Sequence, residues 1–494
     1  MELWSCPLLV ALSAVPALAV QARPTQPPVP VDYLREAESQ LAAGNVDRAI
    51  YLLEKGARTD GKVALRLGKL RESRGELLFA EDAYKAAAGL LSGAAKGEAL
   101  GRKAVVEDSR GASAAAASTE AAIAADPEGL WPTIALSCLR ARQGKLDEAV
   151  ALAQKALAAG GGAAAKAALG RALQSKGDMA GAEAAYREAI AAEPTALAPV
   201  VGLATVLRKT GRAAEAEPLL QKAIEAAPGA AEAYKEMARV QIALGRSQEA
   251  LTNANLAAAM AENDAEAQAM VVDLKLARAL QNVGGEQNDL AVFELTRLRD
   301  QYPDSAPVRV GLGRAQIARR DGDAAVAELQ KAVELDPKNA EAQYQLGYAL
   351  ETLKRNPAAA VGPLENAAAA EPGNATYATA LGVALVHAQR YDRASEVLTK
   401  ATALPGYQDA EGYVALGQAC VNLKLYQDAV PVLEKATSLA PQNSEGWAAL
   451  AWAYFGLKDA PKFKEAAGKA RSLGYKEATL LSYLQKVEAG ASIK

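Results

Sequence analysis

The sequence predicts an all-α chain in which one helical hairpin is repeated along the length. Three observations carry that prediction. Hydrophobic residues make up 51% of the 494 positions while aromatics make up only 5%, so alanine supplies much of the apolar content. Alanine is the strongest helix former and lets helices approach closely. The prolines recur with a period near 34: Pro194 and Pro228 are 34 residues apart, as are Pro303 and Pro337, and Pro372, Pro405 and Pro441 follow at intervals of 35, 33 and 36. A fixed period of this size marks an array of supersecondary units.

The third observation is a pattern of small and apolar residues locked to those prolines. Twelve residues before a proline stand Ala182, Ala216, Ala325, Ala360 and Ala429; five before stand Ala189, Ala223, Ala332, Ala367 and Ala436. The two positions are two helical turns apart and share a face of a second helix. Nine and ten residues after a proline come Leu203-Ala204, Met237-Ala238, Leu312-Gly313, Leu346-Gly347, Leu381-Gly382 and Leu450-Ala451. There, midway along a first helix, a small residue admits the neighbouring helix. Gly177 and Gly211, seventeen before their prolines, end a first helix and permit a tight turn. The proline then stops the second helix and opens the next unit.

These units resemble tetratricopeptide repeats. Trp447, Leu450, Ala451 and Tyr454 after Pro441 follow that family's W-x2-L-G-x2-Y pattern, and Leu169-Gly170, Gly177, Ala182, Tyr186, Ala189 and Pro194 reproduce most of the remainder. The resemblance spans residues 32–475 in about thirteen units. It implies a right-handed α-α superhelical solenoid of stacked helix pairs with a concave inner groove. The first unit lacks a closing proline, the third is loosely matched around Leu100-Gly101, and Gly160-Gly161-Gly162 replaces a proline as an expected soft joint. Between Glu262 and Pro303 the unit is too long, with Asn282-Val283-Gly284-Gly285 as an expected extended loop or helix. Lys476–Val487 is expected to form an amphipathic cap over the last apolar face.

The resulting organisation is a signal over 1–22, a proline-rich linker over 23–31 and an N-terminal repeat array over 32–262. An irregular elongated repeat over 263–303, a C-terminal array over 304–475 and a capping helix with tail over 476–494 follow. Residues 6–20, CPLLVALSAVPALAV, form a short apolar run, and Ala17-Leu18-Ala19 and Val20-Gln21-Ala22 fit the small-x-small cleavage pattern. Export to the periplasm or cell surface is therefore expected. Glu2 and the lack of Lys or Arg before the run favour the alternative, a cytoplasmic adaptor or regulator.

Composition narrows the function classes. The formal charge of −3 lacks the basic surplus of nucleic-acid binders. Cys6, Cys138 and Cys420 have no metal-ligand spacing, and His387 has no paired nucleophile or repeated acidic partner nearby in the sequence. No catalytic residue, metal or small-molecule cofactor is expected, and no non-repeating stretch is long enough for an enzyme domain. After the first 22 residues no apolar run is long enough to span a membrane.

What remains is protein or peptide binding. Offsets 7, 11 and 14 after each proline share one face of a first helix, which the family resemblance places in the groove. Arg171, Arg208, Lys235, Arg239 and Arg314 occupy it in the middle units; Tyr344, Tyr348, Glu351, Trp452 and Phe455 occupy it further on. The expectation is a basic stripe that meets carboxylates, followed by an aromatic stripe of interface anchors. Family members that clamp acidic chaperone C-termini use Asn on this face. Offset 11 here reads Arg171, Thr205, Arg239, Arg314, Tyr348, Val383, Gln418 and Trp452, which disfavours that ligand. Trp447 and Tyr454 are assigned to packing.

Overall fold

In the computed structural model, residues 31–261 and 264–493 are described. The export segment and all but the last residue of the proline-rich linker lie outside them. Among the described residues there are 27 helices and no strand. They fall into two compact units that part at Glu262 and Asn263.

The first unit is seven antiparallel hairpins. It begins with α1 (Tyr33–Ala42) on α2 (Val46–Gly56), α3 (Gly61–Ser73) on α4 (Leu77–Leu90) and α5 (Gly93–Ser109) on α6 (Ala115–Ala125). Next come α7 (Leu130–Arg142) on α8 (Leu146–Ala158) and α9 (Gly162–Lys176) on α10 (Met179–Ala192). It ends with α11 (Leu197–Lys209) on α12 (Ala213–Ala226) and α13 (Ala231–Ala243) on α14 (Ser247–Met260). At the expected joint a Cβ on Gly161 would lie 2.6 Å from Ala165 Cβ and 3.0 Å from Leu130 Cδ1, while Gly160 and Gly162 face open space.

The second unit is six hairpins and a closing helix. It starts with α15 (Ala265–Leu280) on α16 (Asn288–Gln301), α17 (Ala306–Ala318) on α18 (Gly322–Leu335) and α19 (Ala340–Thr352) on α20 (Pro357–Ala370). Then follow α21 (Ala375–His387) on α22 (Tyr391–Thr402), α23 (Ala410–Asn422) on α24 (Tyr426–Leu439), α25 (Ser444–Gly456) on α26 (Ala460–Ser472), and α27 (Ala478–Glu488). The surplus residues of the long repeat form the turn between α15 and α16. Asn288 holds it by accepting from Gly284 N at 3.0 Å and donating to the Ala315 carbonyl of α17 at 3.1 Å.

Local chemistry explains the regularity. Many helices start on an acidic or amide side chain that accepts from the first turn, as Asp60, Asp178, Asp321, Asn339 and Asn443 do. Small residues on first helices sit under a large residue of the partner helix. A Cβ on Gly170 would come 2.8 Å from the Tyr186 ring, and one on Gly417 would come 2.3 Å from Leu433. The alanines near the start of the second helices are wholly buried: Ala182, Ala216, Ala325, Ala360 and Ala429 leave no surface to solvent. α27 closes its unit by burying Leu480 and Leu484 completely. No described helix is long and apolar enough to cross a membrane.

Candidate functional site

Successive first helices pack on one another within each unit: α5, α7, α9, α11 and α13 in the first, and α17, α19, α21, α23 and α25 in the second. No two successive second helices do so to a comparable degree. The first helices therefore occupy the tighter, inner side of each stack, and their free faces are the candidate binding surfaces.

In the first unit the inner side encloses a cavity of about 710 Å³. Its walls come from α3 to α13 and include Arg66, Arg102, Trp131, Arg171, Tyr186 and Glu232. The stack curves far enough for the turn of its second hairpin to meet the loop between its last two hairpins. The α3–α4 turn lies against the α12–α13 loop, where a Cβ on Gly75 would fall 2.5 Å from Ala230 Cβ and 2.6 Å from its Cα. Gly75 also takes φ +73°, a conformation that glycine alone adopts at no steric cost. Ala227 and Ala230 are both buried in this loop, whereas Glu193, which stands in the α10–α11 loop where Ala227 stands here, is exposed.

The basic residues expected to line this side are present, but intrachain acids already hold them. Arg171 pairs with Asp108, to which Arg142 also binds. Arg208 Nε donates to Glu236 Oε1 at 2.7 Å and Arg239 Nη1 to Glu236 Oε2 at 3.0 Å, with Glu236 fully buried. Lys235 is itself buried and donates to Glu232 at 2.9 Å. Arg102 bridges Glu72 and Glu98 and stacks over Trp131, 3.6 Å from the ring centroid. Only Arg314, on α17 of the second unit, stands exposed among the five predicted cations. The stripe is thus a neutralised ladder; for Arg208 and Arg171 the partner acids are 28 and 63 residues away, beyond the reach of a local reading.

The second unit presents a different inner face. Tyr344 stacks on Tyr377 with centroids 4.9 Å apart and neighbours Tyr348 at 6.1 Å. Tyr377 donates to Glu341 at 3.2 Å, and burial with that carboxylate pushes its hydroxyl up to about 12, so it stays a neutral donor. Tyr348 remains 39% exposed. Glu351, a predicted groove residue, binds His387 Nδ1 on the next first helix. That bond raises the imidazole pKa; burial opposes the rise, and the charges of Glu351, Glu445 and Glu411 add to it. The acidic partner absent from the local sequence around His387 is supplied by the previous repeat.

Trp452 and Phe455, also predicted for the groove, are engaged by the cap. Tyr483 of α27 meets Phe455 edge-on at 4.7 Å and Trp452 at 6.0 Å. Phe455 also packs on the fully buried Phe463. Trp447 is half-buried, its Nε1 donating to the Pro441 carbonyl at 2.9 Å, and Tyr454 is buried and donates to Glu434 at 2.7 Å. Cys138 and Cys420 are buried free thiols. Among the described residues no group of His, Cys, Asp and Glu is arranged to hold a metal.

Paired helices stacked with their first members inward define a helical-repeat scaffold, in which binding surfaces are built from the inner helix faces. Tetratricopeptide-repeat family models match along much of the chain. One described as TPR repeat matches residues 313–354. Others described as Tetratricopeptide repeat match 195–263, 272–305, and 134–196, 355–408 and 379–444. The chain is a tetratricopeptide-repeat protein.

The sequence has no match among curated proteins. Among solved structures it is similar to YrrB, described as a TPR protein with an unusual peptide-binding site, at 21% identity and a TM-score of 0.34. That match covers 39% of this chain and 97% of YrrB. It is similar to PilF of Pseudomonas aeruginosa at 22% identity and a TM-score of 0.33, over 37% of this chain and 84% of that one. A chain of the APC/C hetero-tetramer Cut9–Hcn1 matches at 15% identity and a TM-score of 0.40, over 93% and 90%.

Proposed function

We propose that this chain is a non-catalytic scaffold that holds partner proteins on the inner faces of its first helices, after export to a bacterial cell envelope. The observation that carries the scaffold reading is the use of sequence. From Tyr33 to Glu488 the described helices are all hairpin partners or the closing helix, and the small residues that recur in register serve packing. Chemistry is therefore left to the inner faces. The first unit's inner face holds a cavity whose cations are neutralised by ion pairs. The second unit's offers Tyr344, Tyr348 and Glu351, and it is the better candidate for direct partner contact.

The envelope location rests on the apolar run and small-residue sites before Arg23. A second reading, a cytoplasmic adaptor with the same inner faces, is favoured by Glu2 and by the lack of a basic residue ahead of the run. Mass spectrometry of the protein from its own host separates them. A mature N-terminus near Arg23 supports export, and soluble protein that retains residues 1–22 rejects it. Hydrogen exchange of the partner complex tests the scaffold itself: protection should fall on α19 and α21 before α20 and α22, and protection confined to the second helices would reject the reading.

A further inference from the structure

The cations of this chain are distributed unevenly between inner helices. Every first helix from α1 to α17 carries at least one lysine or arginine; α19, α21, α23 and α25 carry none. The same four helices set Glu351 in contact with a single imidazole and Glu411 and Glu445 within its electrostatic reach. His387 is bonded to Glu351 and feels the charges of Glu411 and Glu445, and those two glutamates also act on each other. One imidazole, even when protonated, leaves this group with surplus negative charge. One oxygen of Glu351 is shielded from water and accepts no hydrogen bond. Beside the carboxylates lie Tyr344 and the exposed ring of Tyr348, and Tyr344 is within the field of Glu411.

We infer that the inner face of α19, α21, α23 and α25 docks a cationic segment of a partner protein, an extended stretch rich in lysine or arginine. This rests on the scaffold reading and assigns its partner class. The face supplies both elements that a lysine or arginine side chain uses: carboxylates for its charged head and tyrosine rings for its stem and for cation–π contact. An acidic segment would meet like charge on three of these four first helices. A purely apolar one would cover carboxylates without giving them a donor, which is costly.

The test measures binding of labelled oligolysine and oligoarginine peptides to the full chain by fluorescence anisotropy, with oligoglutamate as the control. The triple variant Glu351→Gln, Glu411→Gln, Glu445→Gln should weaken binding about tenfold or more. Tyr348→Ala, at an exposed ring, should weaken it by a smaller factor. The matched outer variant Glu334→Gln, Glu396→Gln, Glu465→Gln removes the same charge from second helices and should leave binding within about twofold of the parent. Equal losses in the inner and outer variants, or full binding by the inner variant, would overturn the inference. A natural partner held undiminished by the inner variant would also overturn it while leaving the scaffold reading intact. Oligolysine binding that maps to this face in a chain with no protein partner would instead sink the scaffold reading.

Discussion

At His387 a single imidazole bonds Glu351 directly and meets the charges of Glu411 and Glu445 through space. Its pKa is raised in the fold, so protonation favours the folded chain. That contribution is complete below the unfolded pKa and is lost as pH climbs through the higher folded value. The same titration removes positive charge from the face, so oligolysine affinity should increase over that window. Glu411 is pushed up by burial first, then by Asp409 and Glu445, with His387 opposing. Falling pH therefore also strips negative charge from the face. An affinity profile between roughly pH 5 and 8 should show a step that His387→Gln reduces, leaving the Glu411 part; an unchanged step would assign it elsewhere. In the first unit the corresponding prediction concerns stability. Arg208→Ala with Arg239→Ala leaves Glu236 buried without its two cations, and denaturant unfolding should show a loss of about 3–5 kcal/mol. These arginines are structural partners before they are ligand contacts.

The helices themselves were legible because their determinants are local. Proline, alanine and Leu-Gly positions sit at fixed offsets, and Gly417 under Leu433 is the packing that the small-residue rule anticipates. The turns inside hairpins were legible only where glycine marks them, as at Gly177 and Gly211. In the second unit the equivalent positions are Arg320, Arg355, Gln389, Lys424 and Lys458, all with positive φ. Nothing in those residue types announces a left-handed conformation; the fold imposes it. The strain costs about 1–2 kcal/mol per residue, offset in part by the extra freedom a glycine would lose. Lys424→Gly should therefore stabilise the chain by up to about 1 kcal/mol in thermal unfolding, and destabilisation would show that Lys424 makes a compensating contact.

On the scale of the whole chain, repetition made the fold readable and hid the site. Offsets placed Arg171, Arg208 and Arg239 on the inner side, yet Asp108 and Glu236 neutralise them, reaching Arg171 and Arg208 from other helices. Trp452 and Phe455 share an offset face with Tyr348, but α27 lays Tyr483 against both because they stand at the end of the stack. The lack of lysine and arginine on the first helices α19, α21, α23 and α25 was open to inspection in the sequence, although its meaning needed the contact of Glu351 with His387 and the charges of Glu411 and Glu445 around it. The central claim is that inner helix faces, and not outer ones, hold partners. A photo-crosslinking residue placed at Tyr348 and, separately, at Glu396 tests this most directly in the native host. The account predicts a discrete protein adduct from position 348 and none from position 396. Adducts from position 396 with none from position 348 would contradict it.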